Sequence, residues 1–511
     1  MADFTGYTAG ETFASYGVPV ETTTTPDTVN VSLDNLRRTF ALKSDKLAEL
    51  NPNKTPFFTY LAKVRNEPTD DPIFKKMEIR PQWQRRYFRA TPSSGTDDTI
   101  AVAASTYRLA DVRFGTNYTR TGKKTATYVN PAFFLLPKQV LSISNVDIVS
   151  QDSSDIDNAT IICRVVSVDH AANTYTNTTL EPLFVVTSTG TQRKVVNTTA
   201  ADGSEIQFTN SAGDFWHQVV FKPTSEGQVI GTAFGEGTSY ADSWHDDLTS
   251  TEGYAQIFKT ACPLFSGTSL ATAYRGKPNE FLRVWENKLN EHAMDIEHAV
   301  LYGIGRVETS SDQPAAGIRY SWGVFPYLDR FGFKGTGTGV NNAFAYATAG
   351  YDHFLDWMEE FTAPEDANDG SKLVLCSRKI LKWFNKLGTG FMGNNLLLGS
   401  GGGADEGNWS ADITQIQGQF GHELTKVKTI FGDLTFMAHP LIRKQYEDMA
   451  VVVDMRDVKW RPLQANGISR DTFVRTNVQN PGIDGRVDEI ITEAGLEITL
   501  PERSAVLRFT S

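Results

Sequence analysis

The segment from Pro278 to Gly303 constrains the fold most, because its apolar residues repeat with the period of a long helix. These residues lie three and four positions apart and form one stripe: Leu282, Trp285, Leu289, Ala293, Ile296 and Val300. Pro278 suits a first helical turn, and Gly303 can take the left-handed conformation that ends a helix. At about 1.5 Å per residue the helix would be roughly 37–39 Å long. The pattern predicts one long helix on which sheets are laid.

The size and charge of the chain limit its class. A chain of 511 residues should form two to four domains, and its net charge of −11 argues against a broad basic surface for nucleic acid. The first residues lack the basic and apolar regions of a secretory signal. The apolar runs fall far short of the ~20 residues needed to span a bilayer. We therefore expect a protein that is made in a cytosol and not inserted in a membrane.

The cysteines indicate neither disulfides nor zinc. Cys163, Cys262 and Cys376 are far apart in the sequence and odd in number. We expect all three to be buried free thiols.

Residues 1–30 are rich in Thr, Gly and Pro and cannot build a core, so they are typical of an extended arm. Four aromatic residues suggest that the arm buries part of itself against another surface, and plain disorder is the alternative: Phe4, Tyr7, Phe13 and Tyr16. Residues 32–50 have a helical pattern with five apolar positions: Leu33, Leu36, Phe40, Leu47 and Leu50. A second helix should begin at Pro56, with Thr55 as its cap.

The most basic stretch follows a predicted half-exposed strand at Ile73–Ile79. Four arginines alternate here with aromatic residues: Arg80, Arg85, Arg86 and Arg89. Such residues could grip phosphate and stack on bases, or they could pair with carboxylates of neighbouring subunits. The negative net charge favours the subunit contacts.

Residues 100–222 lack helical periodicity and predict a small antiparallel β-domain inserted into a larger fold. The expected strands are Val129–Leu136, Val140–Ile143, Ile161–Val168, Thr174–Leu180, Leu183–Val186 and Trp216–Phe221. A further strand is expected at Tyr254–Thr260.

The second half of the chain predicts an α+β arrangement. Helices are expected at Tyr351–Phe361, Arg378–Leu387 and Pro440–Glu447, and strands at Lys372–Cys376, Ala450–Asp454, Val458–Arg461 and Ala505–Phe509. Two hairpins are expected, Glu423–Ile430 with Leu434–Ala438 and Ile490–Glu493 with Leu496–Leu500.

No motif predicts catalysis, a cofactor or a metal site. Glu291, Asp295 and His298 share one face of the long helix, but three ligands on a single helix make a poor metal site. We interpret them as a polar flank balanced by Lys288. The glycine-rich loops lack the ending of a phosphate-binding loop, and no Gly-x-Ser-x-Gly nucleophile elbow is present.

The order of these parts resembles a known family. An aromatic arm precedes Thr55-Pro-Phe-Phe-Thr-Tyr-Leu61, an extended region, the long helix with Asp295-Ile-Glu-His-Ala299, Phe431-Gly-Asp-Leu-Thr-Phe436 and the closing Thr492-Glu-Ala-Gly-Leu-Glu-Ile498. This order is similar to that of the major capsid proteins of tailed bacteriophages with the HK97-type fold. The similarity spans nearly the whole chain outside residues 100–222.

The resemblance implies an α+β HK97-type fold with an inserted antiparallel β-domain. The implied parts are an N-terminal arm (1–50), the start of an extended-loop region (51–99), the inserted β-domain (100–222), the return of the extended loop (223–277), a peripheral domain with the spine helix (278–370), an axial domain (371–485) and terminal strands returning to the peripheral domain (486–511). The implied contact residues are Phe4, Tyr7, Phe13, Tyr16, Arg80, Arg85, Arg86, Arg89, Glu291 and Asp295.

The implied function is structural, with no catalytic, cofactor or metal site. Copies of the chain would form hexamers and pentamers of an icosahedral phage head around double-stranded DNA, which is bound without sequence specificity. Portal protein, and scaffold or decoration proteins, would be further partners. The protein would be made in the bacterial cytoplasm and reside in the virion. Two other functions stay open on the sequence: a tail or decoration protein, and a carbohydrate-binding or carbohydrate-active protein.

Overall fold

The computed structural model describes most of the chain from residue 55 onward. The described residues are 55–81, 86–92, 96–103, 107–120, 122, 124–125, 127–150, 155–170, 175–196, 205–207, 217–238, 240–271, 280–307, 317–335, 342–363, 368, 371–385, 413–417 and 423–510. The predicted arm and the predicted helix at 32–50 lie outside them.

Helices are few among the described residues. They are α1 (Pro56–Val64), α2 (Gly267–Ala271), α3 (Glu280–Tyr302), α4 (Val324–Phe331) and α5 (Tyr351–Phe361). Residues 378–385 are also helical, and short 3-10 turns lie at Lys444–Tyr446 and Pro501–Arg503. The predicted helix at Tyr351–Phe361 is confirmed. Ser377 caps the helical residues 378–385, because its Oγ accepts a hydrogen bond from Ile380 N–H.

The predicted long helix is confirmed as α3, but its stripe is buried only at one end. Ile296 and Val300 are each 1% exposed, whereas Leu282 is 51% exposed. Gly303 directly follows α3, as predicted, but the predicted reason was wrong, because its backbone is not left-handed. A Cβ there would lie 2.3 Å from the carbonyl oxygen of Ser321, so close backbone approach requires the glycine.

Ten strands form the largest sheet. They are β2 (Tyr87–Ala90), β3 (Asp98–Ala103), β4 (Arg108–Thr116), β5 (Asn130–Pro131), β6 (Gln139–Ser150), β7 (Ile156–Asp169), β8 (Thr176–Val186), β9 (Gln192–Val196), β10 (Glu205–Gln207) and β11 (His217–Thr232). β8 pairs with both β7 and β4, and β11 pairs with β6 on one side and with β2 and β3 on the other. The sheet therefore closes on itself as a barrel.

The barrel fits the predicted β-rich region with changes. Its strands extend past 100–222 at both ends, because β2 and all of β11 belong to it. The strand expected at Val129–Leu136 was wrong except for β5, and the two strands expected at 174–186 are one, β8. The barrel interior is apolar and includes Phe114, Leu141 and Cys163, each 0% exposed.

Two strands outside the barrel form a ribbon. β1 (Ile73–Glu78) precedes the barrel and β12 (Thr249–Tyr254) follows it, and they pair antiparallel from Ile73↔Tyr254 to Glu78↔Thr249. The predicted strand at Tyr254–Thr260 is in fact divided at Ala255, where β12 ends and β13 (Gln256–Ala261) begins.

A four-stranded sheet lies against α3. Its central strand, β28 (Glu489–Ile498), pairs with β13, β23 (Val458–Pro462) and β26 (Phe473–Arg475). The hairpin predicted at 490–500 was wrong, since β28 runs straight through Ala494 and Gly495. Glycine is required at position 495 by a close backbone contact and not by a turn, because a Cβ there would lie 2.3 Å from the carbonyl oxygen of Tyr254.

A seven-stranded sheet forms the rest of the body. Its order is β17 (Ala343–Ala345), β29 (Ala505–Thr510), β22 (Met449–Val453), β18 (Ser371–Cys376), β21 (Asp433–Ala438), β20 (Glu423–Lys428) and β19 (Ile413–Gln417). The predicted strands here and the predicted hairpin of β20 with β21 are confirmed. Of the helix expected at Pro440–Glu447, only the 3-10 turn forms.

Two apolar cores cover the two faces of this sheet. Leu375 and Val451 point toward α1, α3 and α4, whereas Val374 and Val452 point toward α5.

The C-terminal strands divide between sheets, with β28 beside α3 and β29 in the seven-stranded sheet. Three further strand pairs are small: β14 (Phe265–Ser266) with β27 (Gly485–Arg486), β15 (Ile304–Val307) with β16 (Arg319–Trp322), and β24 (Gln464–Ala465) with β25 (Ile468–Ser469).

A buried carboxylate on α3 holds the start of α1. Glu297 is 0% exposed, and its oxygens accept hydrogen bonds from Phe57 N–H at 3.1 Å and Phe58 N–H at 2.6 Å. His439 Nε2 donates to the same carboxylate at 2.5 Å, because its Nδ1 accepts from Leu441 N–H. The predicted cap, Thr55, makes no capping bond. Glu297 therefore satisfies the free amides at the start of α1.

We expect Glu297→Gln to lower the free energy of unfolding by about 2–4 kcal/mol, because an amide cannot accept from three donors and brings two donors of its own. Urea unfolding would measure the loss. Glu291→Gln on the exposed face of the same helix is the matched control and should change stability by less than about 0.5 kcal/mol. Equal effects of the two substitutions would contradict the role of Glu297.

Candidate functional site

The ribbon of β1 and β12 has two different faces. Along β1, Phe74, Lys76 and Glu78 are buried, and the residues between them are exposed. This alternation follows from the period of two in a strand. Gly253 lies opposite Phe74, and a Cβ there would meet the phenyl ring at 2.2 Å, so glycine lets the ring cross the ribbon.

Lys76 attaches the inner face of the ribbon to the body. Its ammonium donates to Tyr327 Oη on α4 at 3.1 Å and to the carbonyl oxygen of Ile498, and it lies 4.4 Å from the Tyr327 ring centre. Burial lowers the pKa of Lys76 to about 8, although the Glu78 and Glu497 carboxylates favour its charged form. A buried ammonium with these partners fixes where the ribbon lies.

Glu78 and Arg80 extend this attachment. Glu78 Oε1 accepts from Leu500 N–H at 3.0 Å, and its other oxygen accepts from Arg80 at 2.6 Å. Arg80 also donates to Thr249 Oγ1 at 2.9 Å and to Glu502 at 3.1 Å. The three side chains form a charged clamp between the ribbon and the chain after β28. The alternation of an extended strand places residues 74, 76, 78 and 80 on one face, but the burial of that face depends on partners far along the chain.

The outer face of the ribbon carries apolar side chains into solvent. Met77 is 66% exposed, Ile73 is 37% exposed, and Ile79, which follows β1, is 52% exposed. Lys75 and Glu252 face each other there at 3.7 Å, and both are exposed. An exposed pair of this kind stabilises little. The ribbon thus presents an apolar outer surface on a backbone that its inner face holds in place.

The predicted arginines that the structure describes have separate partners. Arg80 belongs to the clamp, and Arg85 lies outside the described residues. Arg86 is half-buried with a buried Nε. Arg89, on β2 of the barrel, pairs with Glu226 of β11 and lies 4.4 Å from the Tyr128 ring centre. Phe4, Tyr7, Phe13 and Tyr16 lie outside the described residues.

Glu291 and Asp295 are exposed on α3. Lys288 pairs with Glu291 at 2.7 Å, as the sequence predicted for this flank. Burial, and then the Glu291 carboxylate, raises the pKa of Asp295 above its ordinary value. In the described part of the chain, no group of three or more potential ligands is arranged to hold a metal. No helix there is long and apolar enough to cross a membrane.

The cysteines are free and buried, as predicted. Burial raises the pKa of the Cys163, Cys262 and Cys376 thiols, so they are poor nucleophiles.

A family model described as the SU10 major capsid protein matches residues 22–511. The chain belongs to the SU10 major capsid protein family. The sequence-based prediction of a phage major capsid protein is thereby confirmed. A member of this family is a structural protein of a phage head, which is not a class of enzyme. The family assignment replaces the tail-protein and carbohydrate alternatives.

Solved structures similar to this SU10-family chain include phage and encapsulin shells. The satellite phage P4 procapsid is 12% identical with a TM-score of 0.32, over 55% of this chain and 85% of that chain. The SrpI encapsulin complex from Synechococcus elongatus PCC 7942 is 9% identical with a TM-score of 0.33, over 51% and 77%. The capsid of Myoviridae phage XM1 is 11% identical with a TM-score of 0.31, over 54% and 81%. No curated protein sequence matches the chain.

We expect the stability of this capsid protein to depend on pH through Lys76. Because its pKa is lower in the folded chain than in the unfolded chain, the unfolded chain binds more protons between about pH 8 and pH 10. The Lys76 contribution to the free energy of unfolding should therefore rise with pH in that window. Lys76→Met should remove this rise, and urea unfolding from pH 7 to pH 10 would measure the difference between the two proteins.

Lys75→Met, on the outer face of the same strand, is the control and should keep the wild-type pH dependence. The buried position of Lys76 would be contradicted if Lys76→Met and the wild type had parallel stability curves.

Proposed function

We propose that the chain assembles into hexamers and pentamers that close an icosahedral head around double-stranded DNA, and that the outer face of the ribbon is a contact between subunits. The observation that carries this proposal is the exposure of Met77, Ile79 and Ile73 on a ribbon fixed by buried charges. A fixed apolar surface loses little conformational freedom when a second copy covers it. Family membership supports the shell as the setting.

In this proposal the parts of the HK97-type fold follow the sequence-based assignment, except that β17 and β29, which the sequence placed in the peripheral domain, belong to the seven-stranded sheet. The ribbon is the extended loop, α3 is the spine helix of the peripheral domain, and the seven-stranded sheet forms the axial domain. Residues 1–50 are an arm that reaches a neighbouring subunit through its aromatic residues. The barrel is an insertion carried by the extended loop.

The remaining contacts are proposals of the same kind. Arg86, Glu291 and Asp295 are candidates for ion pairs across subunit boundaries. Arg80 and Arg89 contribute indirectly, since their charges are paired within the chain and hold the ribbon and barrel in shape. Portal, scaffold and decoration proteins are further partners. The net charge of −11 suits a container that releases its DNA.

The ribbon contact is tested by Met77→Asp. A carboxylate buried between subunits without a partner should weaken each contact, so the protein concentration needed for assembly should rise at least about tenfold, which corresponds to about 1.4 kcal/mol. Light scattering and electron microscopy of the purified protein over a concentration series would measure the change. Thermal unfolding of the free subunit should stay within about 2 °C of wild type, since Met77 is exposed.

Ile468→Asp is the matched control, because Ile468 is 65% exposed and belongs to the β24–β25 pair, outside the ribbon. It should assemble at wild-type concentrations. Assembly of Met77→Asp at the wild-type concentration would remove the ribbon from the proposed contacts.

The arm is tested by deletion of residues 1–30. We expect the shortened subunit to fold, with the helix and strand signal of its far-ultraviolet circular dichroism spectrum retained. It should form fewer particles, or particles that are less stable to heat. Particle yield in sucrose gradients and particle melting temperature measure the two effects. Normal values of both would mean that the arm is dispensable.

A further inference from the structure

One stripe of α3 leads from a covered end to an open end. Glu297 and Val300, near the C-terminal end, are buried, and Glu297 binds the first amides of α1. Toward the N-terminus the stripe continues at spacings of three and four through Ala293, Leu289 and Glu286. One side of α3 therefore contacts α1 at one end and extends well beyond it.

The extension is partly open to solvent. Leu289 and Ala293 are half-buried, Glu286 is exposed, and Leu282, the next position along, is 51% exposed. The open part spans roughly 16 Å, at about 1.5 Å per residue. An apolar stripe that is continuous with a buried contact is a docking surface for another helix.

The chain that leads into α1 arrives at this surface. The amides of Phe57 and Phe58 bind Glu297, so the chain enters α1 beside Glu297, about one helical turn from Ala293. The preceding residues 51–54, Asn-Pro-Asn-Lys, are turn formers, and a connection of this length is typical between packed helices. Residues 32–50, which have a helical pattern, would extend roughly 28 Å and so exceed the open length.

The chemistry of the two surfaces matches. Residues 32–50 provide apolar side chains at helical spacing, including Leu36, Phe40 and Leu47. They carry a net charge of +1 opposite the exposed carboxylate of Glu286, from four cations and three carboxylates: Arg37, Arg38, Lys43 and Lys46 with Asp34, Asp45 and Glu49. Helices that pack side by side in this way bury their apolar faces and leave charges at the edges.

We propose that residues 32–50 lie as a helix on the stripe of α3 formed by Leu282, Glu286, Leu289 and Ala293 of the same chain. This contact makes the spine helix the base of the N-terminal arm. It is a contact within one subunit, so it stands whether or not the chain assembles as proposed above.

Site-specific photo-crosslinking in the full-length protein tests the proposal. A benzophenone amino acid would replace Glu286 in one variant and Leu289 in another, with Asp295, on the opposite side of α3, as the matched control. Mass spectrometry of the irradiated protein would identify the linked peptides. A mixture of ¹⁴N- and ¹⁵N-labelled chains would separate links within a chain from links between chains.

We expect positions 286 and 289 to link to peptides from residues 32–50 of the same chain at least tenfold more often than position 295 does. The Glu286 variant replaces an exposed side chain, so it keeps the test valid if the Leu289 variant folds poorly. Links from 286 to residues 272–279, links only between chains, or no preference over position 295 would each overturn the proposal. Particle formation by the same variants reports separately on the proposed function.

Discussion

The fold depends on one buried carboxylate that joins three distant parts of the chain. Glu297 receives hydrogen bonds from Phe57 and Phe58, about 240 positions earlier, and from His439, 142 positions later. Without these donors, the burial of an ionised carboxylate would cost too much free energy for the fold to be stable. Helices α1 and α3 and the loop after β21 must therefore meet in one arrangement. The same contact fixes where the chain enters α1.

Periodicity was sufficient to predict the elements whose burial follows local pattern. In α3, α5 and the hairpin of β20 with β21, apolar positions repeat with the period of the element that forms, and β18 has the short continuous apolar run of a buried strand. The order of these elements also led to the correct family, although each motif taken alone is degenerate. Local pattern thus gave most of the body and its class.

Local pattern failed where a polar group is buried or a glycine serves packing. Lys76 and Glu78 resemble exposed residues in the sequence, and their burial depends on Tyr327, Ile498 and Leu500, which lie far along the chain. Gly495 resembles a turn residue, but it is required by the close approach of the Tyr254 carbonyl oxygen, which lies far earlier in the chain. The closure of the barrel depends likewise on the pairing of β4 with β8, a long-range choice. The assembly candidates in the arm are beyond the described residues, and they stay predictions.

The barrel begins and ends on adjacent strands, and this has a consequence for how such a shell subunit can change. β2 enters the barrel, β11 leaves it, and the two pair in register at Arg89↔Glu226, so the incoming and outgoing chains are about 5 Å apart. Whatever is spliced between them keeps the same two attachment points. A larger, smaller or different segment between these two points would therefore leave the ribbon, α3 and the seven-stranded sheet in place.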